Sequence, residues 1–230
     1  VATEVLHSTV LDTVGAEITA GTLAAGAVLT LEQLQQRFSV SRTVAREVMR
    51  TLEHVGLVTS RRRVGLVVRP AADWAVYDAR VIRWRLAGPG RLAQLRSLTE
   101  LRAAVEPVAA AAAARHADAA EVDRLLALAA RMRELGEAGR LEEFLDCDVE
   151  FHALLLRAGR NEMFAALTDV VAEVLAGRTR HGLMPSRPRA EALDAHDAVA
   201  AAVAERSPAA AERAMTLITT EIRTALLDPP

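Results

Sequence analysis

The sequence predicts a mainly α protein in two parts: a small N-terminal unit of three helices closed by a β hairpin, then a larger all-helical bundle. Three observations predict it. Alanine fills much of an apolar fraction of 51%, while aromatics make up only 3%. Alanine is the best helix former and is depleted in strands, so this composition favours close-packed helices over a β sandwich. The β-rich runs, "LVTS" and "GLVVR", flank "RRRV" just ahead of Pro70, and no strand pattern follows Ala71. The third observation is length: 230 residues suffice for one large domain or two modest ones.

The elements follow in order. Residues 5–20 read as a helix ended by Gly21, and "GTLAAGAVL" as a turn-rich connection. Thr30 with Gln33 is a capping box that opens a short second helix, stopping near Phe38. "FSV" is a three-residue turn, and a third helix runs from about Ser41 to His54, with Gly56 as its C′ residue. A two-stranded hairpin follows, with Gly65 relieving the backbone. Helix, helix, short turn, helix, hairpin is the order of a winged helix-turn-helix, placed at residues 1–70. Residues 71–230 then read as helices at roughly 74–87, 91–116, 119–137, 140–158, 161–180, 188–205 and 208–227. Asp118 with Glu121, Asn161, and Ser207 before Pro208 supply N-caps. "GPG" at 88–90 and "HGLMPSRP" at 181–188 break the chain, and Pro107 is expected to kink its helix.

Charge is distributed unevenly. Net charge is −2, yet residues 37–69 hold eight arginines against Glu47 and Glu53, a local +6. All 28 basic residues are arginine, which we read first as codon bias. A basic block in an acidic protein is an electrostatic footprint for a polyanion. Arg42, Arg46 and Arg50 stand four apart, about one helical turn each, so they line one side of the third helix. Val44, Val48, Leu52 and Val55 form an apolar stripe on another. The second helix of a helix-turn-helix enters the major groove with its N-terminal residues at the bases, where arginine reads guanine bidentately. Those residues are Ser41, Arg42, Thr43 and Arg46, while Arg61, Arg62 and Arg63 at the hairpin tip suit a wing along the backbone or minor groove. The competing reading is an ordinary solvated helix face.

Other classes are disfavoured. The lone Cys147 excludes an internal disulfide framework and fits a reducing, cytoplasmic setting. Residues 1–20 carry no signal-peptide pattern. The longest apolar tract, Val105–Ala114, contains Glu106 and Pro107 and is too short to span a bilayer, so no membrane partner is expected. No H-E-x-x-H, Ser-His-Asp order or Gly-rich phosphate loop points to an enzyme.

"FLDCDVEFHALLL" is the informative stretch of the larger domain. Asp148 and His152 are four apart and share a helix face with Phe144, Phe151 and Leu155 nearby, so both polar groups turn inward. His196 repeats the situation among Leu193, Val199 and Val203, and Arg102 lies between Leu98 and Val105. A buried carboxylate and imidazoles need a partner, and a divalent metal is one. The alternatives stay open: an Asp148–His152 hydrogen bond within the helix, a satisfied core histidine at 196, and an Arg102–Glu106 pair.

The stretch "GTLAAGAVLTLEQLQQRFSVSRTVAREVMRTLEHVGLVTSRRRVGLVV" resembles the DNA-binding domain of GntR-family bacterial repressors. The resemblance implies DNA contacts at Ser41, Arg42, Thr43, Arg46 and Gly65. It departs from the family at Val44-Ala45, where Pro-Val is common, and at Glu32, where some members have a DNA-contacting arginine. "LRAAVEPVAAAAAA", "DVEFHALLLRAGRN" and "AHDAVAAAVAERSPAAAERAM" resemble the C-terminal FCD effector domain of the FadR-type branch. That likeness implies a metal, often Zn or Ni, on Asp148, His152 and His196, with Arg102 taking a carboxylate effector. The position of the usual fourth ligand is Ile218, which cannot ligate; His181 substitutes only if its loop folds inward. "DWAVYDARVIRWRLAGPG" is similar to sugar-acid regulators of the galactonate and gluconate type.

The leading expectation is therefore a dimeric transcriptional repressor, bound to a pseudo-palindromic double-stranded operator and released by a small carboxylate. The alternatives are a metal-free acyl-CoA-responsive regulator and a metal-dependent enzyme fused to a DNA-binding domain.

Overall fold

A computed structural model of the chain describes residues 2–182 and 185–227. The break at 181–188 falls partly outside these residues. The chain divides into two compact units, Val1–Arg91 and Leu92–Pro230.

The first unit opens with α1 (Ala2–Thr19). Thr30 caps α2 (Leu31–Phe38) through the reciprocal Thr30–Gln33 box, with bonds of 3.1 and 2.8 Å. Ser39, at φ 52°, turns the chain out of α2 in the left-handed region. Ser41 then caps α3 (Arg42–His54) by accepting the Val44 N–H. The connection is thus Ser39 to Ser41, one residue later than "FSV". Val44, Ala45, Val48 and Leu52 of α3 are buried, packed with Val10, Val14 and Ile18 of α1 and with Leu34 of α2. Each fully buried Val, Leu or Ile of this set contributes about 1.5–3 kcal/mol relative to exposure.

The sheet differs from the expected hairpin. A short strand β1 (Val28–Leu29), read as turn in the sequence, pairs antiparallel with β3 (Gly65–Val68), which also pairs with β2 (Val58–Arg61), in the order β1-β3-β2. Two residues carry too little alternation to be seen as a strand. The crossing also accounts for Gly65. It sits at φ +119°, and a Cβ there would stand 2.8 Å from the Leu29 carbonyl oxygen. Gly56, at φ +75°, ends α3 as expected, and a Cβ there would meet the Asp73 carbonyl at 2.6 Å.

The helix expected over 74–87 begins later. A 3-10 turn covers Ala71–Asp73, Trp74 is extended, and α4 runs Ala79–Ala87. Asp78 sets the start: its carboxylate accepts the Arg80 N–H at 2.9 Å, the bond an N-cap makes. Although counted with the larger domain on sequence grounds, α4 packs on α1. Trp84 donates its indole N–H to Asp12 at 2.8 Å, and a Cβ at Gly15 would lie 2.5–2.6 Å from the Trp84 ring.

The second unit contains α5 (Arg91–His116, its first residue in the preceding unit), α6 (Ala119–Glu137), α7 (Leu141–Ala158), the short α8 (Glu162–Ala165), α9 (Thr168–Arg180), α10 (Ala190–Ala204) and α11 (Pro208–Leu227). The single helix expected over 161–180 is split at Ala166–Leu167, where a Leu167 N–H to Phe164 carbonyl bond tightens the turn. Within this unit α7 packs on α6 and α9, and α10 on α6 and α11. Its core joins Leu125, Met132, Phe151, Val199 and Met215. Alanines of α5 let neighbouring helices come close; a Cβ at Gly159 would lie 3.1 Å from the Ala112 Cβ. Asp118 and Glu121 form the expected capping box of α6. Arg133 of α6 clasps Asp194 and Asp197 of α10 at 2.6 Å.

Substituting Gly15→Ala tests the α1–α4 contact. Alanine is the better helix former by about 0.8–1.0 kcal/mol, but its methyl group must displace a packed indole, at about 1–3 kcal/mol. Denaturant melts should show net destabilisation; a stabilised variant would mean that Trp84 yields freely.

Candidate functional site

Two sites are built, one in each unit. In the first, α3 divides its faces. Its buried stripe fixes the helix on the core, leaving Ser41, Arg42, Thr43, Arg46, Glu47 and Arg50 exposed. Arg61, Arg62, Arg63 and Val64 are exposed at the β2–β3 turn, where Arg63 takes φ 64°. A carboxylate ties the two together: Glu53 of α3 accepts the Ser60 backbone N–H of β2 at 2.7 Å.

Ion pairing sorts the eight arginines of the basic block. Arg37 is held two-pronged by Glu17, Arg50 pairs with Glu47 at 2.7 Å, and Arg69 pairs with Asp73 at 3.2 Å. Arg42, Arg46, Arg61, Arg62 and Arg63 carry no ion pair among the described residues. These five lie on α3 or the wing, so the uncompensated charge is confined to one helix side and one turn. The Ser41 hydroxyl has a structural task as the α3 cap, and Gly65 is required by β1. Arg50 is half neutralised by Glu47.

In the second unit, Arg102 and Glu106 of α5, Asp148 and His152 of α7, and His196 of α10 are all buried, each 7% exposed or less. His196 shows how the cluster is arranged. Its Nδ1 lies 2.6 Å from the Ala192 carbonyl oxygen, one turn back in α10. A carbonyl only accepts, so Nδ1 carries the proton and Nε2 of the neutral ring points a lone pair into the cluster. There it faces Asp148 Oδ1 at 3.4 Å, and His152 Nε2 stands 3.3 Å from the same oxygen. Among the described residues neither Asp148 Oδ1 nor His196 Nε2 has a hydrogen-bond partner, and one ligand atom from each of Asp148, His152 and His196 lies within 4.8 Å of the others. Lone pairs that converge in a dry interior repel unless a cation, proton or metal, lies between them. The donor set of one carboxylate and two imidazoles fits a first-row divalent ion. Phe151 packs edge-on to both rings, at centroid distances of 5.8 and 5.4 Å, and limits their tilt.

Arg102 takes the pairing that the sequence left open. Its Nε and Nη2 donate to the two Glu106 oxygens at 2.8 and 3.0 Å, Nη2 lies 3.4 Å from His152 Nε2, and Nη1 has no partner. Burial opposes charge throughout, and proximity of opposite charges overrides it. Glu106 is raised by burial but held down at about 2 by the Arg102 and His152 charges. His152 is lowered by burial but held up at about 9, chiefly by the Glu106 charge. The Asp148 carboxyl, also opposed by burial, is driven well below the usual range, chiefly by His152 beside it.

Glu106 is the residue that sequence reasoning treated only as a partner for Arg102. Its Oε2 lies 3.1 Å from His152 Nδ1, so it belongs to the cluster. A signal existed: Thr99, Arg102 and Glu106, spaced three and four apart, place polar groups on one stripe of an alanine-rich helix, and all three are buried. Ile218 is 4% exposed in the apolar core with Met215. His181 ends α9 and is not in the ligand group among the described residues. No helix among the described residues is long and apolar enough to cross a membrane.

Comparison with known proteins assigns a family to each unit. The FCD domain family matches residues 97–220, more than half the chain, and the description "Bacterial regulatory proteins, gntR family" matches residues 6–68. The Escherichia coli (strain K12) "Galactonate operon transcriptional repressor" is 27% identical over 216 residues, covering 92% of this chain and 93% of that protein. A Paenarthrobacter nicotinovorans protein named "Probable D-xylose utilization operon transcriptional repressor" is 28% identical over 217 residues, covering 91% of this chain and 83% of its own length. The solved structure of E. coli McbR/YncC shares the fold, with a TM-score of 0.55 at 16% identity, covering 96% of this chain and 97% of that one. The two family matches fall one in each unit, the gntR match in the first and the FCD match in the second: the chain belongs to the FCD-domain branch of the gntR family, DNA-binding transcriptional regulators that answer to a small-molecule effector and are not enzymes.

Proposed function

We propose that this regulator is a homodimeric, cytoplasmic repressor of a sugar-acid or related carboxylate operon, and that a divalent cation on Asp148, His152 and His196 forms the floor of its effector site. The observation that carries the reading is the convergence of unpartnered lone pairs on Asp148 Oδ1 and His196 Nε2 in a buried setting. Bound there, a divalent ion supplies positive charge and open coordination positions for a carboxylate. Ile218 leaves three protein ligands, so the remaining positions fall to water or to the effector. Arg102 Nη1 supplies a second anchor for the anion. The relative named for the galactonate operon favours an aldonate as effector class.

On the DNA side, two α3 helices of a dimer reach successive major grooves when spaced by about one helical turn, roughly 34–36 Å, which makes a pseudo-palindromic operator the natural partner. Arg42 and Arg46 read base edges, and Arg61, Arg62 and Arg63 neutralise phosphates, with Ser41 and Thr43 adding hydroxyl contacts. Effector binding releases DNA only if it favours a dimer geometry with a different helix spacing, because a ligand with equal affinity for both geometries shifts nothing.

These roles predict distinct outcomes. On an operator selected from genomic DNA by the wild-type protein, Arg42→Ala or Arg46→Ala should cost about 1–3 kcal/mol and blur the sequence preference. Arg62→Ala should weaken binding to all sequences and lower the slope of log affinity against log salt by about 0.9. Unchanged footprints in both arginine variants of α3 would sink the assignment of that helix.

For the effector site, His152→Ala and His196→Ala should remove stoichiometric zinc or nickel, measured by elemental analysis after metal loading, while operator binding persists and induction is lost. Wild-type protein that takes up no metal would point instead to a metal-free sensor of an acyl thioester.

A further inference from the structure

Glu106 is committed to one partner while standing within reach of another. Both of its oxygens meet Arg102, at 2.8 and 3.0 Å. Its Oε2 is also 3.1 Å from His152 Nδ1, yet that nitrogen has no hydrogen-bond partner among the described residues. All three side chains are 2% exposed or less, so the competition is set apart from bulk solvent. A ligating histidine almost always donates its other ring N–H to a carboxylate or carbonyl, which orients the ring and raises its basicity. His196 already has such a partner in the Ala192 carbonyl. The group placed to serve His152 in the same way is Glu106.

We propose that Glu106 couples the cation site to Arg102 by exchanging partners. In the first arrangement, that of the geometry described, it closes the Arg102 fork, acting as an internal stand-in for an effector carboxylate and leaving only Nη1 for an anion. When a cation engages His152 through Nε2, the Nδ1 N–H attracts Glu106, and the freed Nε and Nη2 of Arg102 become a two-pronged receptor for a carboxylate. Cation and anion then bind cooperatively through a protein side chain, whether or not the anion also touches the metal. This inference rests on the metal reading above and adds a positioning residue to it.

Zinc alone tests it. Isothermal titration of Zn2+ into full-length, metal-stripped protein would compare wild type, Glu106→Gln, Arg102→Lys and the double variant, with operator binding as the check on folding. Glu106→Gln should weaken Zn2+ about tenfold, the lower end of the usual effect of losing a partner to a ligating histidine. Arg102→Lys keeps the charge but loses the fork, so it should strengthen Zn2+ several-fold by releasing Glu106 to His152. In the Glu106→Gln background that gain should shrink to less than twofold. Simple charge repulsion, or the Arg102 Nη2 contact with His152 Nε2, would appear equally in both backgrounds, so additive effects would overturn the exchange while leaving the metal site standing. Should Arg102→Lys fail the folding check, Arg102→Gln replaces it in the same cycle, with the same non-additivity expected. Absence of Zn2+ binding in wild type would overturn the metal reading and this inference together.

Discussion

Five ionisable side chains buried among alanines and aliphatics are the constraint on which the helical unit depends. Ions in such an interior are tolerated only when their charges and hydrogen bonds close on one another. Arg102 and Glu106 close as a two-pronged pair within a single helix turn. Asp148 and His196 do not close; Asp148 Oδ1 and His196 Nε2 face each other without a hydrogen bond among the described residues. Helices α5, α7 and α10 must hold these groups together against their tendency to separate. The close α5–α7 approach at Gly159, the Phe151 ring edge-on to both imidazoles, and the Arg133 clasp on α10 all act in that sense.

The first unit solves the opposite problem, keeping charges apart from acids. Neutralising all its arginines internally would stabilise it slightly, since exposed pairs are worth at most about 1 kcal/mol each. Instead Glu17, Glu47 and Asp73 pair only with Arg37, Arg50 and Arg69. Glu53, the remaining acid near the wing, is occupied by the Ser60 backbone N–H. Function is visible here as stabilisation left unmade.

Much of this was legible in the sequence, for definite reasons. The capping boxes at Thr30–Gln33 and Asp118–Glu121, the glycines at 56 and 65, and the apolar stripe of α3 are local signals, and the structure bears them out. The inward turn of Asp148, His152 and His196 followed from helical spacing alone. What was missed depends on distant partners. β1 is two residues long and exists only because β3 lies beside it. The α4 start is set by Asp78, a cap inside a stretch read as continuous helix from residue 74. Glu106 meets His152 from a residue 46 positions away, a contact no local pattern encodes.

The bare face of α3 and its wing has one more consequence, which follows from the chain having no lysine. A guanidinium keeps its proton at any pH a cell reaches, and it is not a substrate for lysine acetylation. The grip on nucleic acid proposed for this face therefore cannot be graded by acyl-group metabolism or by acid stress. Whatever dims it must come from geometry, transmitted from elsewhere in the molecule, or from the salt around it.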